Sequence, residues 1–206
     1  MSEKEPLDSV QEPTDQGRRR LLIGTTGVVG AVGVGFAAWP FLASLLPSER
    51  ARIIGAPVEV FIGDLMPGHL LRVQWRGQTI GIMRRDQRML DDLQRMEGLR
   101  DPDSSNADQQ PEFAQNFHRS LRPEILVANI HCTHLGCVPQ VIPEVGPQPF
   151  DANWRGGFFC PCHRSTFDLA GRVFRGVPAV LNLLVPPYRF IDDDNLIIGE
   201  TPEGAA

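Results

Sequence analysis

Cysteine is scarce in this sequence, with only 4 among 206 residues. So few cysteines cannot form a disulfide scaffold that replaces a hydrophobic core, so we expect them to have specific roles. Basic residues form no patch after residue 50, and the net charge is −5. This argues against nucleic acid as a partner, because basic surfaces bind phosphate backbones. A hydrophobic fraction of 42% leaves room for one membrane segment and one domain of about 140–150 residues.

Charged residues are also missing from the 26 residues 21–46. As a helix this run would be about 39 Å long, enough to cross a bilayer, and the length disfavours the alternative of a buried core helix. Arg18, Arg19 and Arg20 precede the run, and residues of both charges follow it. The excess of basic residues on the first side predicts a cytoplasmic N-terminus and a domain on the outer side of the membrane.

The three arginines and the leucines that follow them resemble a twin-arginine export signal. Residues 1–17 are polar and acidic, which predicts a disordered cytoplasmic tail and argues against a mitochondrial transit peptide, so a bacterial source is favoured. No small-residue cleavage site follows residue 46. We therefore predict that 18–46 is a retained signal anchor and transmembrane helix. Residues 47–57 would form a flexible tether with a reach of at most about 36 Å, and 58–206 the outer domain.

The outer domain has the pattern of a mostly β protein. Short apolar or alternating runs bounded by turn residues predict strands at 57–63, 69–75, 78–84, 124–130 and 179–185, with shorter strands around 157–159, 166–169, 188–191 and 196–199. Arg76 and Gly77 suit a hairpin turn between the second and third strands. Apolar residues recur at helical spacing only in 86–97, which predicts a short amphipathic helix.

Two short stretches, "HCTHLGC" at 131–137 and "FFCPCHRSTFD" at 158–168, contain all 4 cysteines and 3 of the 5 histidines. Cys132-x-His134 and Cys160-x-x-His163 offer two thiolates and two imidazoles from two loops. This pattern strongly resembles the Rieske iron–sulfur family, in which two histidines replace two cysteines on one iron of a [2Fe–2S] cluster. The resemblance implies an all-β head of antiparallel sheets with cluster-binding hairpin loops, joined to one N-terminal transmembrane helix.

The resemblance also implies a role for each residue of the two loops. Cys132 and Cys160 would bind one iron, and His134 and His163 the other. By the same resemblance Ser165 would donate a hydrogen bond to the cluster and Leu135 would shield it from water. The remaining two cysteines would bind no iron and would form a disulfide between the loops: Cys137 and Cys162.

Two other interpretations of the motif are weaker. A Cys2His2 zinc site needs the same ligand types, but zinc motifs usually separate paired ligands by two or more residues, whereas one residue separates Cys132 from His134. A zinc site would also leave Cys137 and Cys162 without a role. Two ordinary disulfides would leave the histidines unexplained.

The second cysteine pair is typical of the quinol-oxidising branch of the family, found in cytochrome bc1 complexes. Membership of this branch implies an electron-transfer subunit of a bacterial ubiquinol–cytochrome c reductase, not catalytic alone, in a dimeric complex at the inner membrane. Its head would be periplasmic, and its partners would be membrane lipid, cytochrome b, cytochrome c1 and ubiquinol, whose proton His163 would accept. The small Rieske subunit of an arsenite-oxidase-type enzyme is the alternative. A soluble electron carrier for an oxygenase is a third, which the apolar segment disfavours.

The sequence departs from many members of that branch at three places. Residues 143–156 look like an inserted surface loop between the two motifs. Arg164 stands where many relatives have glycine. Phe167 stands where many have a tyrosine whose hydroxyl bonds a ligand sulfur, and its lack of a hydroxyl should lower the reduction potential. Residues 176–179 match the proline loop that covers the cluster in this family.

Overall fold

The structure is a computed structural model that describes residues 15–46, 48 and 55–202. Its chain divides into two compact units, Met1–Ala51 and Arg52–Ala206. The predicted disordered tail, residues 1–17, and the predicted tether, residues 47–57, therefore lie largely outside the described residues.

The described part of the N-terminal unit contains one helix, α1 (Gln16–Ser44). It is long and apolar enough to cross a membrane, with a mean hydropathy of 1.9 over its most apolar window. The helix begins five residues before the uncharged run because the Asp15 side chain accepts hydrogen bonds from the Gly17 and Arg18 amides and so caps it. The arginines of the export-signal motif consequently lie in its first turns.

The second unit contains three antiparallel sheets of three strands each, among the residues that the structure describes. The first sheet has the order β1-β9-β8, the second β2-β3-β4 and the third β5-β6-β7. The strands are β1 (Val58–Phe61), β2 (Leu70–Trp75), β3 (Gln78–Arg84), β4 (Ile125–Asn129), β5 (Gln140–Ile142), β6 (Gly157–Cys160), β7 (Ser165–Phe167), β8 (Tyr188–Phe190) and β9 (Asn195–Ile198). The predicted all-β class of the head is therefore confirmed.

Local sequence accounts for the hairpin and the helix of this unit. Arg76 and Gly77 both have positive φ, 50° and 74°, which is the geometry of a tight hairpin turn that matches the strand twist. The helix α2 (Gln87–Gln94) begins after Asp86, whose side chain accepts from the Met89 amide. Met89 and Leu93 on this helix are buried, as the helical spacing predicts. Two short 3-10 helices, Ala107–Gln109 and Glu112–Ala114, follow.

The strand predicted at 179–185 is wrong. Its apolar residues Leu183 and Val185 are buried, but the backbone forms no ladder with one neighbour. The Leu183 amide donates to Gly171 O, the Leu184 carbonyl accepts from the Asn129 amide, and the Val185 amide donates to Gln109 O. Each residue is thus held by a different segment. The structure also adds β5, a strand that the sequence did not predict.

Two apolar clusters form the core of the second unit. One cluster combines residues of the sheet β1-β9-β8 with residues of the sheet β2-β3-β4. It includes Ile62, Ile82 and Tyr188. The other includes the two cysteines Cys132 and Cys160 together with Phe158 and Phe167. The two candidate cysteine ligands therefore pack in a hydrophobic core, which fixes the positions of their loops.

Candidate metal centre

The two Cys/His loops have the same backbone design. In the first, the Gly136 amide donates to the carbonyl of Cys132 at 2.8 Å; in the second, the Arg164 amide donates to the carbonyl of Cys160 at 2.9 Å. The residue four positions after each cysteine is in the left-handed region, with φ 80° at Gly136 and φ 62° at Arg164. Each loop therefore folds back on its own cysteine, and each presents its histidine on the resulting turn.

Arg164 takes this conformation at a cost, because a Cβ disfavours the left-handed region by about 1 kcal/mol or more, whereas glycine adopts it freely. We therefore expect Arg164→Gly to raise the free energy of unfolding by about 1 kcal/mol, less the extra unfolded-state entropy of glycine. Chemical denaturation of the two proteins measures this difference. Arg164→Ala is the matched control, because it removes the same charge and keeps the Cβ. Equal gains in both variants would assign the effect to the charge.

The predicted ligands lie in two close pairs. Cys132 and Cys160 are buried free cysteines, and their thiols are close enough to hydrogen bond to each other. The rings of His134 and His163 lie 4.7 Å apart between centroids and nearly perpendicular, at 89°. His163 is exposed and His134 partly buried. Each pair therefore joins one residue of the first loop to one residue of the second.

The His134 ring supplies the sharpest test of whether this set fits a metal group. Its Nδ1 atom is buried and has no hydrogen-bond partner. Buried polar atoms are nearly always satisfied, so this orphaned imidazole nitrogen fits the role of a metal ligand. The two soft sulfurs and two nitrogens are the donor set of a Rieske centre.

The thiol environment also suits metal binding. Burial raises the pKa of the Cys160 thiol, and the neighbouring Cys132 raises it further. Without a cation beside it, the Cys160 thiol therefore keeps its proton. Iron binding would replace that proton, because the metal ligand is the thiolate.

A disulfide links the two loops through Cys137 and Cys162, the predicted pair. The Cys132 amide also donates to the carbonyl of Cys137 at 2.7 Å, which closes the first loop from inside. The sulfurs of Cys137, Cys160 and Cys162 all lie within 4.8 Å of one another. The covalent link therefore lies directly beside one of the two free thiols.

Comparison with known proteins identifies this arrangement. Residues 103–188, which include both loops, match the model of the Rieske [2Fe-2S] domain, and residues 10–48 match that of the ubiquinol–cytochrome c reductase Fe-S subunit TAT signal. The ubiquinol-cytochrome c reductase iron-sulfur subunit of Allochromatium vinosum is 51% identical over 89% of this chain and 88% of that protein. The chain belongs to this family of iron–sulfur subunits. Its cofactor is a Rieske-type [2Fe–2S] cluster.

Other matches are more distant. The Blastochloris viridis protein with the same name is 39% identical over 88% of this chain and 92% of that protein. A solved structure titled "Hyperthermophilic respiratory Complex III" aligns at 23% identity and a TM-score of 0.47, over 86% of this chain and 98% of that chain. The curated relatives carry the reductase name and favour neither the zinc site nor the arsenite-oxidase alternative.

Ser165, the predicted hydrogen-bond donor to the cluster, is the first residue of β7. It lies directly opposite Cys160 in the β6-β7 pair and is fully buried. Its Oγ accepts a hydrogen bond from the Ala179 amide at 3.0 Å, which leaves the hydroxyl hydrogen for a second partner. The bond to Ala179 also attaches the proline loop, residues 176–179, to the second cysteine loop. Donation of this hydrogen to the cluster stays a prediction.

Leu135 lies at the tip of the first loop with 70% of its side chain exposed. The sequence did not single out its neighbour Thr133, whose hydroxyl donates to Leu181 O at 2.6 Å and attaches the loop to the segment after the proline loop. Val180 and Leu181 are also exposed. Leu135, Val180 and Leu181 therefore give the first loop and the segment bonded to it an exposed apolar rim. Shielding of the cluster by Leu135 stays a prediction.

The inserted segment 143–156 is attached more firmly than the surface loop that the sequence predicts. Trp154 is 1% exposed, and its Nε1 donates to Ile142 O at 2.9 Å. The Phe150 ring stacks on Phe159 of β6 at 3.9 Å between centroids. The two aromatic residues of the segment, Phe150 and Trp154, are the sequence feature from which this packing could have been predicted. The insertion thus braces the strand that carries Cys160.

Proposed function

We propose that this chain is the electron-transfer subunit of a quinol–cytochrome c oxidoreductase, the cytochrome bc1 complex. The orphaned Nδ1 of His134, on a ring 4.7 Å from that of the exposed His163, carries the proposal together with the two buried free thiols. The proposed ligands are Cys132 and Cys160 on one iron and His134 and His163 on the other. When bound, the cluster supplies a one-electron acceptor.

The chain's own residues position the proton and the electron. The exposed ring of His163 offers its second nitrogen at the surface, where a quinol hydroxyl bound in cytochrome b can approach. We propose that this nitrogen accepts the proton of ubiquinol as one electron leaves it for the iron. The apolar rim of Leu135, Val180 and Leu181 excludes water around that contact, and Leu135 is its most exposed member. The chain then passes the electron to cytochrome c1.

The N-terminal helix fits a membrane-anchored subunit, and the match to an export-signal model supports delivery through the twin-arginine route. We propose a single-pass anchor in the bacterial inner membrane, with residues 1–17 in the cytoplasm and the head in the periplasm. Residues 47–57 would form the tether that lets the head move between cytochrome b and cytochrome c1 within a dimeric complex.

Purification of the tagged full-length chain from membranes of its source tests this function. We expect haem b and haem c to co-purify with it in fixed proportion, and an untagged strain provides the control for non-specific binding. Co-purification of a molybdenum protein without haem b would favour the arsenite-oxidase alternative instead.

Phe167 provides a graded test of the site. The residue is fully buried and belongs to the same apolar cluster as Cys132 and Cys160. Phe167→Tyr adds one hydroxyl, and a hydrogen bond from it to a ligand sulfur stabilises the reduced cluster. We expect the midpoint potential to rise by tens of millivolts, since about 59 mV corresponds to 1.4 kcal/mol for one electron.

The measurement is a redox titration of both proteins at one pH and equal cluster occupancy. Phe158→Tyr is the matched control, because Phe158 is equally buried and pairs with Phe167 across the β6-β7 ladder. An unchanged or lower midpoint potential in Phe167→Tyr would show that this ring does not lie against a ligand sulfur.

A further inference from the structure

Three arginine side chains are buried in the second unit, which is an unusual place for a permanent charge. Arg85, Arg119 and Arg172 are only 2%, 0% and 3% exposed. Arg172 has a matching anion, since its Nε donates to the buried carboxylate of Asp168 at 2.7 Å. That pair is close to neutral as a unit, which leaves the other two arginines to be explained.

Arg85 and Arg119 donate only to neutral acceptors, and no ion pair joins either to another part of the chain that the structure describes. The Arg85 guanidinium donates to Leu169 O at 3.1 Å, to His118 O at 3.0 Å and to the Ser120 hydroxyl at 2.8 Å. Arg119 donates to Ala170 O at 3.1 Å, and its other acceptors are Gly171 O, Gln109 O and the Gln110 side chain. The Nε atoms of both arginines are buried without a partner.

Both guanidinium groups remain charged at neutral pH. Burial lowers the pKa of Arg85 and that of Arg119 to about 10 in each case. These values stay well above neutrality. The buried Asp168 carboxylate attracts both groups, but its direct partner is Arg172. The three buried arginines therefore carry more positive charge than this one carboxylate balances, and an unbalanced buried charge is costly to a fold.

Three of the backbone carbonyls that these arginines hold, those of Leu169, Ala170 and Gly171, belong to the turn behind the second cysteine loop. Leu169 and Ala170 are members of the same apolar cluster as Cys132 and Cys160. The turn follows β7 directly, and Ser165 at the start of β7 lies opposite Cys160. Three residues of strand from Ser165 to Asp168 correspond to about 10 Å. Charges at this depth act through the protein interior, where solvent screens them far less than charges on the surface.

We propose that Arg85 and Arg119 are electrostatic residues of the centre, whose buried positive charge raises its reduction potential. The inference rests on the proposed iron–sulfur function of the two loops. A reduced cluster carries one more negative charge than an oxidised one, so fixed positive charge in the core behind it favours reduction. The same hydrogen bonds hold the turn in place, and the two roles are separated by experiment.

Removing the charge and removing a hydrogen bond are distinguishable changes. Arg85→Met deletes the charge at similar volume, whereas Ser120→Ala deletes one hydrogen bond of the same guanidinium and keeps the charge. Arg72→Met removes an equal charge from the exposed face of β2. Redox titration of the full-length holoprotein, followed by the EPR signal of the reduced centre, compares all three with the parent chain at one pH and equal occupancy.

We expect Arg85→Met to lower the ratio of reduced to oxidised centre about three- to tenfold at a fixed potential, that is, by about 30–60 mV. Ser120→Ala and Arg72→Met should leave it unchanged. An unchanged potential in Arg85→Met, or an equal fall in Ser120→Ala, would overturn the inference. If Arg85→Met does not retain the cluster, Arg119→Met decides by the same criterion. A parent chain without a Rieske signal would instead contradict the proposed function.

Discussion

Replacing His163 with alanine is expected to abolish the low-g EPR signal of the reduced Rieske centre. The residue is one of the four proposed ligands, and its ring lies 4.7 Å from that of His134 between centroids. Loss of one nitrogen leaves an iron with an open position at an exposed tip, where water reaches it. The same result is expected for alanine in place of each remaining ligand: Cys132, His134 and Cys160.

The control is His69→Ala, which removes an exposed histidine from outside the two loops. Its EPR signal should match that of the parent chain. Iron content and acid-labile sulfide, measured on the same samples, show whether the cluster is lost or only altered. A full Rieske signal in His163→Ala would contradict the ligand assignment.

Removing the Cys137–Cys162 disulfide is expected to lower the free energy of unfolding by about 3 kcal/mol, because the bond closes a loop of about 25 residues. The double substitution Cys137→Ser with Cys162→Ser is the better variant. A single substitution would leave a new thiol close to Cys160, since the three sulfurs lie within 4.8 Å of one another.

The double variant should also lose its cluster sooner, because the bond holds together the two loops that are proposed to bind it. Denaturation curves and the decay of the EPR signal in air measure the two effects. Disulfide reduction in the parent chain under mild conditions is the matched comparison, since it opens the same loop without a substitution. Equal stability and equal cluster lifetime in the double variant and the parent would show that the other loop contacts suffice.

Local patterns in the sequence predict most of the fold and the ligand set. Each Cys/His pair can be recognised from the sequence because its two residues lie within a few positions of each other. The Arg76-Gly77 turn requires only residues that tolerate positive φ. The segment 179–185 could not be assigned in this way. Its apolar composition is that of a strand, but Leu183 and Val185 find backbone partners in separate, distant segments.

The buried arginines were equally inaccessible from the sequence. Arg85 lies in a basic and acidic run that looks solvated, and its acceptor Leu169 is 84 residues away along the chain. The sequence shows that Arg164 stands where many relatives have glycine, but only the structure shows that its backbone is left-handed. Tertiary contacts, rather than local preference, decide these positions.

The most direct test of the account is the EPR spectrum of membranes that contain the full-length chain, recorded before and after addition of ubiquinol. The proposed function predicts that the signal of a reduced Rieske centre appears on addition of the quinol, and that His163→Ala membranes show no such signal. Membranes in which dithionite produces the signal but ubiquinol does not, although haem b is reduced, would contradict the proposal that this centre takes its electron from quinol.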